Sequence, residues 1–327
     1  MKLISLIILS IALISCTNDI AGGRAIVISV ASDYSECSAA GILPNTLNDQ
    51  AAFIETIRSL SDKAEIHLFR CENMRSYYST NPVFANELKD ATVYFMKEDG
   101  TVGRRYTKKL EFKPYEGTTV EKDWSMWDVS EFLASIKTTK NDLLIFHSSG
   151  HGDIDGNLAA GMHRDKLVLV NKDEILYFLS DDYRSGTKLA ILDSCHSGSF
   201  VQNNSLHSGY VFHDSRLEGT SMFESFKKSF KRGEKIAQTY IFAAARSNQS
   251  SYDNYNFGAE EQRYFGFFSY HFLKAMGFDF SSFSITRRKP ISIYGIYQEL
   301  MRNMEKDMLV KATPEITLSK KDVILFS

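Results

Sequence analysis

Several features are missing from this chain of 327 residues, and each absence excludes a class. Lys and Arg number 38 against 40 Asp and Glu, a formal net charge of -2. A surface that grips a phosphate backbone needs a basic excess, so no nucleic-acid partner is expected. The basic clusters Arg104-Arg105, Lys227-Lys228 and Arg287-Arg288-Lys289 read as solvated faces and loops. Internal repeats and low-complexity tracts are absent, which argues against an array or a tail. After the first residues, no segment is long and apolar enough to span a bilayer, which takes about 20 residues. Cysteine is scarce: Cys16, Cys37, Cys71 and Cys195. What remains is ordinary globular composition, 43% hydrophobic and 24% charged, enough for one large domain or two small ones.

The N-terminus stands apart. Met1-Lys2 precedes an apolar run from Leu3 to Ile14, followed by Ser15-Cys16. A charged start, a short apolar region and small residues before a cut describe an export signal. Leu13-Ile14-Ser15-Cys16 resembles the lipobox of bacterial lipoproteins. That resemblance implies a signal peptide over 1–15, lipid on Cys16, a tether over 16–23, and Thr17 leaning toward outer-membrane sorting. Two or more acyl chains hold a protein on a membrane where one does not. The mature chain would be a soluble, monomeric domain anchored in the bacterial cell envelope, on its periplasmic or outer-membrane face. The alternative is a plain secretory signal with Cys16 as a bystander.

The rest of the chain alternates strands with helices. Arg24 to Ala31 and Ala64 to Phe69 read as buried strands around a helix from Gln50 to Leu60 that Asn48 or Asp49 would cap. The pattern loosens over about 72–120, where Asp99-Gly100 suggests a hairpin in an insertion at the rim of the sheet. Trp127, Val129, Phe132, Leu133 and Ile136 share one helix face. Leu143 to Ser149 and Lys188 to Asp193 are apolar runs that stop at glycine-bearing turns, the mark of parallel strands whose carboxyl ends open into loops. A helix from Lys172 to Leu179 lies between them. Thr239 to Ala245 is a further strand, helices follow at Phe265 to Met276 and Ile293 to Met304, and a strand at Lys321 to Phe326 comes after Pro314. This alternation predicts an α/β fold: a three-layer α/β/α sandwich on a mainly parallel sheet of about six strands. If the first two strands are parallel neighbours, Cys37 and Cys71 follow them at one edge, either as a disulfide or as two free thiols.

Two strand ends carry the chemistry. Ser149-Gly150-His151-Gly152 delivers an imidazole, and Asp193-Ser194-Cys195-His196-Ser197-Gly198 delivers a thiol. Function collects at such ends in open α/β sheets. A thiol becomes nucleophilic as thiolate, and a histidine can take its proton and return it to the leaving amine. A right-handed crossover makes the two strands neighbours or nearly so. His196 is adjacent to Cys195 and is read as a packing or hydrogen-bonding group. Gly198 is expected to permit the turn after the nucleophile.

These blocks resemble the metacaspase branch of the caspase-like cysteine peptidases. So do Arg24 to Ser32, Leu47-Asn48-Asp49, Phe242 to Ser250, Gly266-Phe267-Phe268-Ser269-Tyr270 and Pro314. The resemblance spans most of 24–327 as a single peptidase domain, apart from the insertion. It implies a Cys–His dyad of Cys195 and His151, with an oxyanion hole from the backbone N–H groups of Gly152 and Cys195. The substrate would be a polypeptide, cut through an acyl-enzyme thioester. The branch's acidic specificity pocket maps onto Asp49 and Asp193, which would bind Arg or Lys by charge-assisted hydrogen bonds. Asp49 has a plain alternative as a helix cap. Cleavage after aspartate would need arginines in the pocket, and Arg246 is the one nearby.

No cofactor is required by this chemistry. Calcium sites occur in the branch, but Asp153, Asp155, Asp165 and Asp173 show no recognisable ligand spacing, and Asp153-Ile154-Asp155-Gly156 reads as a turn. Zinc on His147, His151, Cys195 and His196 lacks a carboxylate and a shared helical face. Loss of catalysis, with the fold kept as a binding or scaffold lipoprotein, is the competing function; both members of the pair are intact. The polar stretch from about Ser199 to Lys235 reads as a long surface loop where relatives are often cut, and it holds Lys227, Lys228, Lys231 and Arg232. If specificity is basic, mass spectrometry of the incubated protein shows a new N-terminus near Ser229 or Gly233; an intact chain at full activity rules self-cleavage out.

Overall fold

The computed structural model describes residues 23–32, 34, 41, 43, 45–61, 64–71, 91–95, 119–121, 126–163, 166–180, 183–202, 210–212, 239–253, 264–282, 284–286, 291–307, 312–318 and 324–326. In chain order these form β1 (Ala25–Ser32), α1 (Thr46–Leu60), β2 (Ala64–Cys71), β3 (Ala91–Phe95), β4 (Thr119–Glu121), α2 (Met126–Ser135) and β5 (Leu143–Ser149). Next come β6 (Leu158–His163), β7 (Lys166–Val170), α3 (Lys172–Phe178), β8 (Thr187–Asp193), α4 (Ser199–Gln202), β9 (Tyr210–Phe212) and β10 (Thr239–Ala243). The chain closes with α5 (Phe267–Met276), β11 (Phe278–Asp279), β12 (Ser284–Ile285), β13 (Ile291–Ser292), α6 (Ile293–Lys306), β14 (Glu315–Leu318) and β15 (Ile324–Phe326).

The main sheet runs β4-β3-β2-β1-β5-β8-β10-β14-β9. From β4 to β10 every pairing is parallel; β14 runs antiparallel to β10, and β9 antiparallel to β14. Six strands, β2-β1-β5-β8-β10-β14, form the expected mainly parallel core. Three more extend it: β3 and β4 at one edge, and β9 at the other.

Buried parallel strands need apolar residues on both faces, and these have them. Val27, Ala31, Ile145, Leu189, Ile191 and Phe242 pack with α1, α5 and α6 on one side. Ile28, Val30, Leu144, Phe146, Ala190, Leu192 and Ile241 pack with α2, α3 and α4 on the other. The alternation along each strand therefore fixes a three-layer α/β/α sandwich. Each fully buried Leu, Ile or Phe contributes about 1.5–3 kcal/mol.

Tertiary contacts shift several sequence-based boundaries. α1 starts at Thr46, ahead of Asn48 and Asp49, and Asn45 precedes it without a side-chain cap. The start is anchored elsewhere: the Thr46 hydroxyl donates to Ser32 O at 2.7 Å, and the Asn45 amide donates to Asp253 O at 3.0 Å. The run at 91–95 is a strand of the main sheet between β2 and β4, both parallel to it; Asp99-Gly100 and the proposed return strand lie outside the described residues. The crossover from β5 to β8 carries the unforeseen antiparallel hairpin β6–β7 as well as α3. The stretch from Ser199 is not all loop, because α4 and the edge strand β9 interrupt it. Lys227, Lys228, Lys231 and Arg232 lie outside the described residues, as do Cys16 and Cys37. Cys71 ends β2 opposite Ser32 of β1. No described helix is long and apolar enough to cross a membrane.

Behind the functional edge, Phe53 of α1 stacks on His147 of β5, centroids 4.4 Å apart and planes 13° apart. Gln50 Nε2 donates to Ser29 Oγ at 3.0 Å, which leaves the Ser29 hydroxyl hydrogen for His147 Nδ1 at 2.8 Å. Phe53→Ala would open a cavity against this network and is expected to cost about 3–5 kcal/mol of stability, measured by urea denaturation.

Candidate active site

The site begins with register. Ser149, the last residue of β5, lies opposite Asp193, the last residue of β8, and Gly150 N donates to Asp193 O at 3.1 Å. His151 and Cys195 each follow two residues later, so the sheet sends both to the same edge. Together they line a cleft of about 150 Å³ whose other walls include Asp49, Ser149, Asp193, Ser251, Asp253 and Gly266.

His151 is held by main-chain and side-chain contacts. Its Nε2 lies 2.7 Å from Gly41 O. A carbonyl can only accept, so Nε2 carries the hydrogen; in the neutral ring Nδ1 is then the proton acceptor. His151 O accepts from Ala159 N at 2.9 Å, and Asp153 N donates to Asn157 O at 3.0 Å, closing the loop 151–159. Asp153 is a turn residue, as its sequence suggests: its Oδ1 accepts from Asp155 N at 3.0 Å and Asn157 N at 2.8 Å.

Cys195 sits in a turn formed under strain. His196, next to it, has φ of 57°, the left-handed region that a residue with a Cβ rarely adopts. It is pinned there: His196 N donates to Gln249 O at 2.9 Å and its Nδ1 to Ser247 O at 2.8 Å. This is the hydrogen-bonding role expected of it, and it also supplies the backbone bend that Gly198 was expected to supply. Gly198 is needed for a different reason. A Cβ there would lie 2.3 Å from Glu315 Oε2 and 2.7 Å from Ala245 O. At Gly152 a Cβ would lie 2.2 Å from Cys195 O, so the histidine loop and the cysteine turn touch backbone to backbone. The N–H groups of Gly152 and Cys195 have no hydrogen-bond partner among the described residues. The Cys195 thiol contacts Ser251 O at 3.9 Å.

The floor of the cleft is acidic. Asp49 is fully buried in the first turn of α1, where its Oδ2 accepts from Ser149 Oγ at 2.8 Å and its Oδ1 from Gly266 N at 2.9 Å. It is therefore a cleft residue rather than a helix cap. Asp193 Oδ1 accepts from Ser251 Oγ at 2.6 Å, and its Oδ2 from Ser269 N at 3.0 Å and Ser269 Oγ at 2.7 Å. Gly266 leaves room between the two carboxylates: a Cβ there would sit 2.5 Å from Asp193 Oδ2 and 2.9 Å from Asp49 Oδ2. Sequence reading missed the third carboxylate, Asp253, in the loop after β10. Its Oδ2 accepts weakly from Asn45 N at 3.4 Å, while its Oδ1 is buried with no partner among the described residues.

Burial dominates the electrostatics. Desolvation, and then the neighbouring Asp193 and Asp253, push the Asp49 carboxyl well above the usual carboxylate range. Burial also raises Asp193, against the opposing hydrogen bonds of Ser251 and Ser269. Burial brings Asp253 up to about 7, with Asp193 adding to the effect. Among the described residues, no Lys or Arg lines the cleft, and Arg246 is not among its walls. The empty pocket therefore favours protons, and a cation entering it would release them. His147 takes no part: burial lowers it to about 3, and it is neutral in the core on Ser29 and Phe53. Among the described residues, no group of three or more His, Cys, Asp or Glu is placed to hold a metal ion.

Comparison with known proteins adds the family. The sequence model of the caspase domain matches residues 110–321, more than half of the chain. No curated protein matches it. Among solved structures, the crystal structure of caspase-1 from Spodoptera frugiperda is similar at 11% identity and a TM-score of 0.48, covering 93% of this chain and 87% of that one. β1, α1 and β2 precede the matched segment, which takes in β5, β8, β10 and the strand ends bearing His151 and Cys195. Sequence pattern and sheet topology meet in that segment, and the chain belongs to the caspase domain family of cysteine peptidases.

Proposed function

We propose that this protein is a metacaspase-like cysteine endopeptidase that cuts polypeptides after Arg or Lys. The carrying observation is one cleft that brings His151 and Cys195 together with three carboxylates, Asp49, Asp193 and Asp253. In this reading Cys195 gives its proton to His151 Nδ1 and the thiolate attacks the carbonyl carbon of the scissile bond. The N–H groups of Gly152 and Cys195 stabilise the oxyanion. His151 returns the proton to the leaving amine, and a thioester to Cys195 remains. Water attacks it, His151 takes the water's proton, and the thiolate departs and is reprotonated.

A guanidinium or ammonium group enters the acidic floor. Asp49 and Asp193 supply the negative field, but both of their oxygens already accept from protein donors. Asp253 Oδ1 is the open acceptor, and a substrate N–H would satisfy it. An aspartate side chain would add a fourth carboxylate, so cleavage after Asp is disfavoured. We place the enzyme on a lipid anchor at Cys16, in the bacterial envelope, acting as a monomer without a required cofactor.

Two measurements test the reading. Peptide amides ending in Arg or Lys are hydrolysed by the wild type and not by Cys195→Ala, and amides ending in Asp are not hydrolysed; absence of any Cys195-dependent cleavage leaves only a scaffold. Asp193→Asn lowers kcat/KM on Arg substrates by about 30-fold or more, from the 2–5 kcal/mol that one partner of a buried charge pair is worth. The second is pH dependence. Asp253 is protonated below about 7 in the empty cleft and must be ionised to hold the cation. KM for an Arg substrate therefore rises as pH falls below about 7, and Asp253→Asn reduces this rise, leaving only the part carried by Asp49 and Asp193.

A further inference from the structure

Tyr34 lies just beyond β1 and is wholly buried, yet its φ is 54°. Left-handed backbone is unfavourable for a residue with a Cβ and persists only where surroundings impose it. The phenol shows what imposes it. Its oxygen accepts the His151 backbone N–H at 3.0 Å, and its hydrogen goes to Ala159 O at 2.7 Å. Ala159 N in turn donates to His151 O. These three hydrogen bonds form a closed triangle through Tyr34, His151 and Ala159. One hydroxyl thus clamps both ends of the loop 151–159. The Tyr34 ring also packs on the imidazole, centroids 4.5 Å apart and planes tilted by 54°. Gly150 has no side chain where a Cβ would come 2.4 Å from the Tyr34 hydroxyl.

We infer that Tyr34 is a positioning residue for His151, fixing through its hydroxyl the place from which the imidazole exchanges a proton with Cys195. The inference rests on the proposed role of His151 as base. Tyr34 touches the backbone and the ring face of the histidine, while Gly41 O takes the Nε2 hydrogen. The β1–α1 segment therefore holds the base from two sides, and Nδ1 is the ring nitrogen left for chemistry. Without the hydroxyl, His151 N–H and Ala159 O would each lose a buried partner, and the loop would settle elsewhere. Small displacements of a base are costly to rate and cheap to binding.

The test compares Tyr34→Phe, His151→Ala, Gly150→Ala and the double variant Tyr34→Phe/Gly150→Ala with the wild type. It reads peptide-amide kinetics normalised to titratable thiol, and the pH dependence of Cys195 alkylation by iodoacetamide. Tyr34→Phe is expected to lower kcat about 10-fold or more with KM within twofold, and to shift the alkylation profile toward that of His151→Ala. Gly150→Ala is expected to be less damaging in the Tyr34→Phe background than alone, because the atom it strikes is gone. An alkylation profile and kcat unchanged in Tyr34→Phe overturn the inference. So does additivity of Gly150→Ala and Tyr34→Phe. Alkylation needs no substrate. A profile unchanged in His151→Ala therefore shows that the reading of His151 as base has itself failed, and the inference falls with it; a profile that moves in His151→Ala but not in Tyr34→Phe overturns Tyr34 alone.

Discussion

The site depends on the parallel pairing of β5 with β8. Their register sets Ser149 opposite Asp193, so the two residues that follow each strand arrive at the same edge at the same height. A slip of one residue would reverse which face each strand buries, and both faces are apolar and covered by helices. With apolar residues on both faces, it is the close packing of particular side chains against the helices of each layer that resists such a slip, and the register places the imidazole and the thiol. The same pairing places two carboxyl-bearing positions under them, because Asp193 ends β8 and Ser149, ending β5, donates to Asp49.

Buried carboxylates are expensive, and the fold keeps two, with a third partly buried, around one cleft. Two are compensated by convergent donors from distant segments: Ser149, Gly266, Ser251 and Ser269. The third, Asp253, has one oxygen without a described partner. Such a concentration of like charge weakens the folded state at neutral pH and is the kind of local violation that marks a functional position. The strain at Tyr34 and His196, the two non-glycine residues with positive φ among the described residues, flanks the same cleft.

The segment between β1 and α1 serves both halves of the site. It contributes Tyr34 and Gly41 to the histidine and Asn45 to the acidic floor, which Asp49 joins from the first turn of α1. α1 starts where the Thr46 hydroxyl and the Asn45 amide find partners in β1 and the loop after β10. That is why local capping signals at Asn48 and Asp49 misplaced its beginning by four residues.

The sequence by itself determined the parts whose physics is local. Apolar runs marked β1, β5, β8 and β10, with those of β5 and β8 ending at glycine-bearing turns, and the alternation with helices gave the α/β class. The positions of His151 and Cys195 just past two such runs made them candidates for one edge. Asp193 was legible because it sits in the cysteine block, and the Asp153 turn because its partners lie within four residues. Tertiary structure decided what depends on distant segments meeting. Asp253 lies 204 positions from Asp49 along the chain, and no spacing announces that they share a cleft. The Tyr34 clamp needs a β1 loop to meet the end of β5 and the start of β6. The β3 and β4 pairings and the β6–β7 hairpin also escaped, because short strands take their identity from their neighbours rather than from their own pattern. Local sequence fixes which groups a strand end can offer; only the closed sheet, by excluding water and bringing remote donors together, decides which of those groups face one another and in what protonation state.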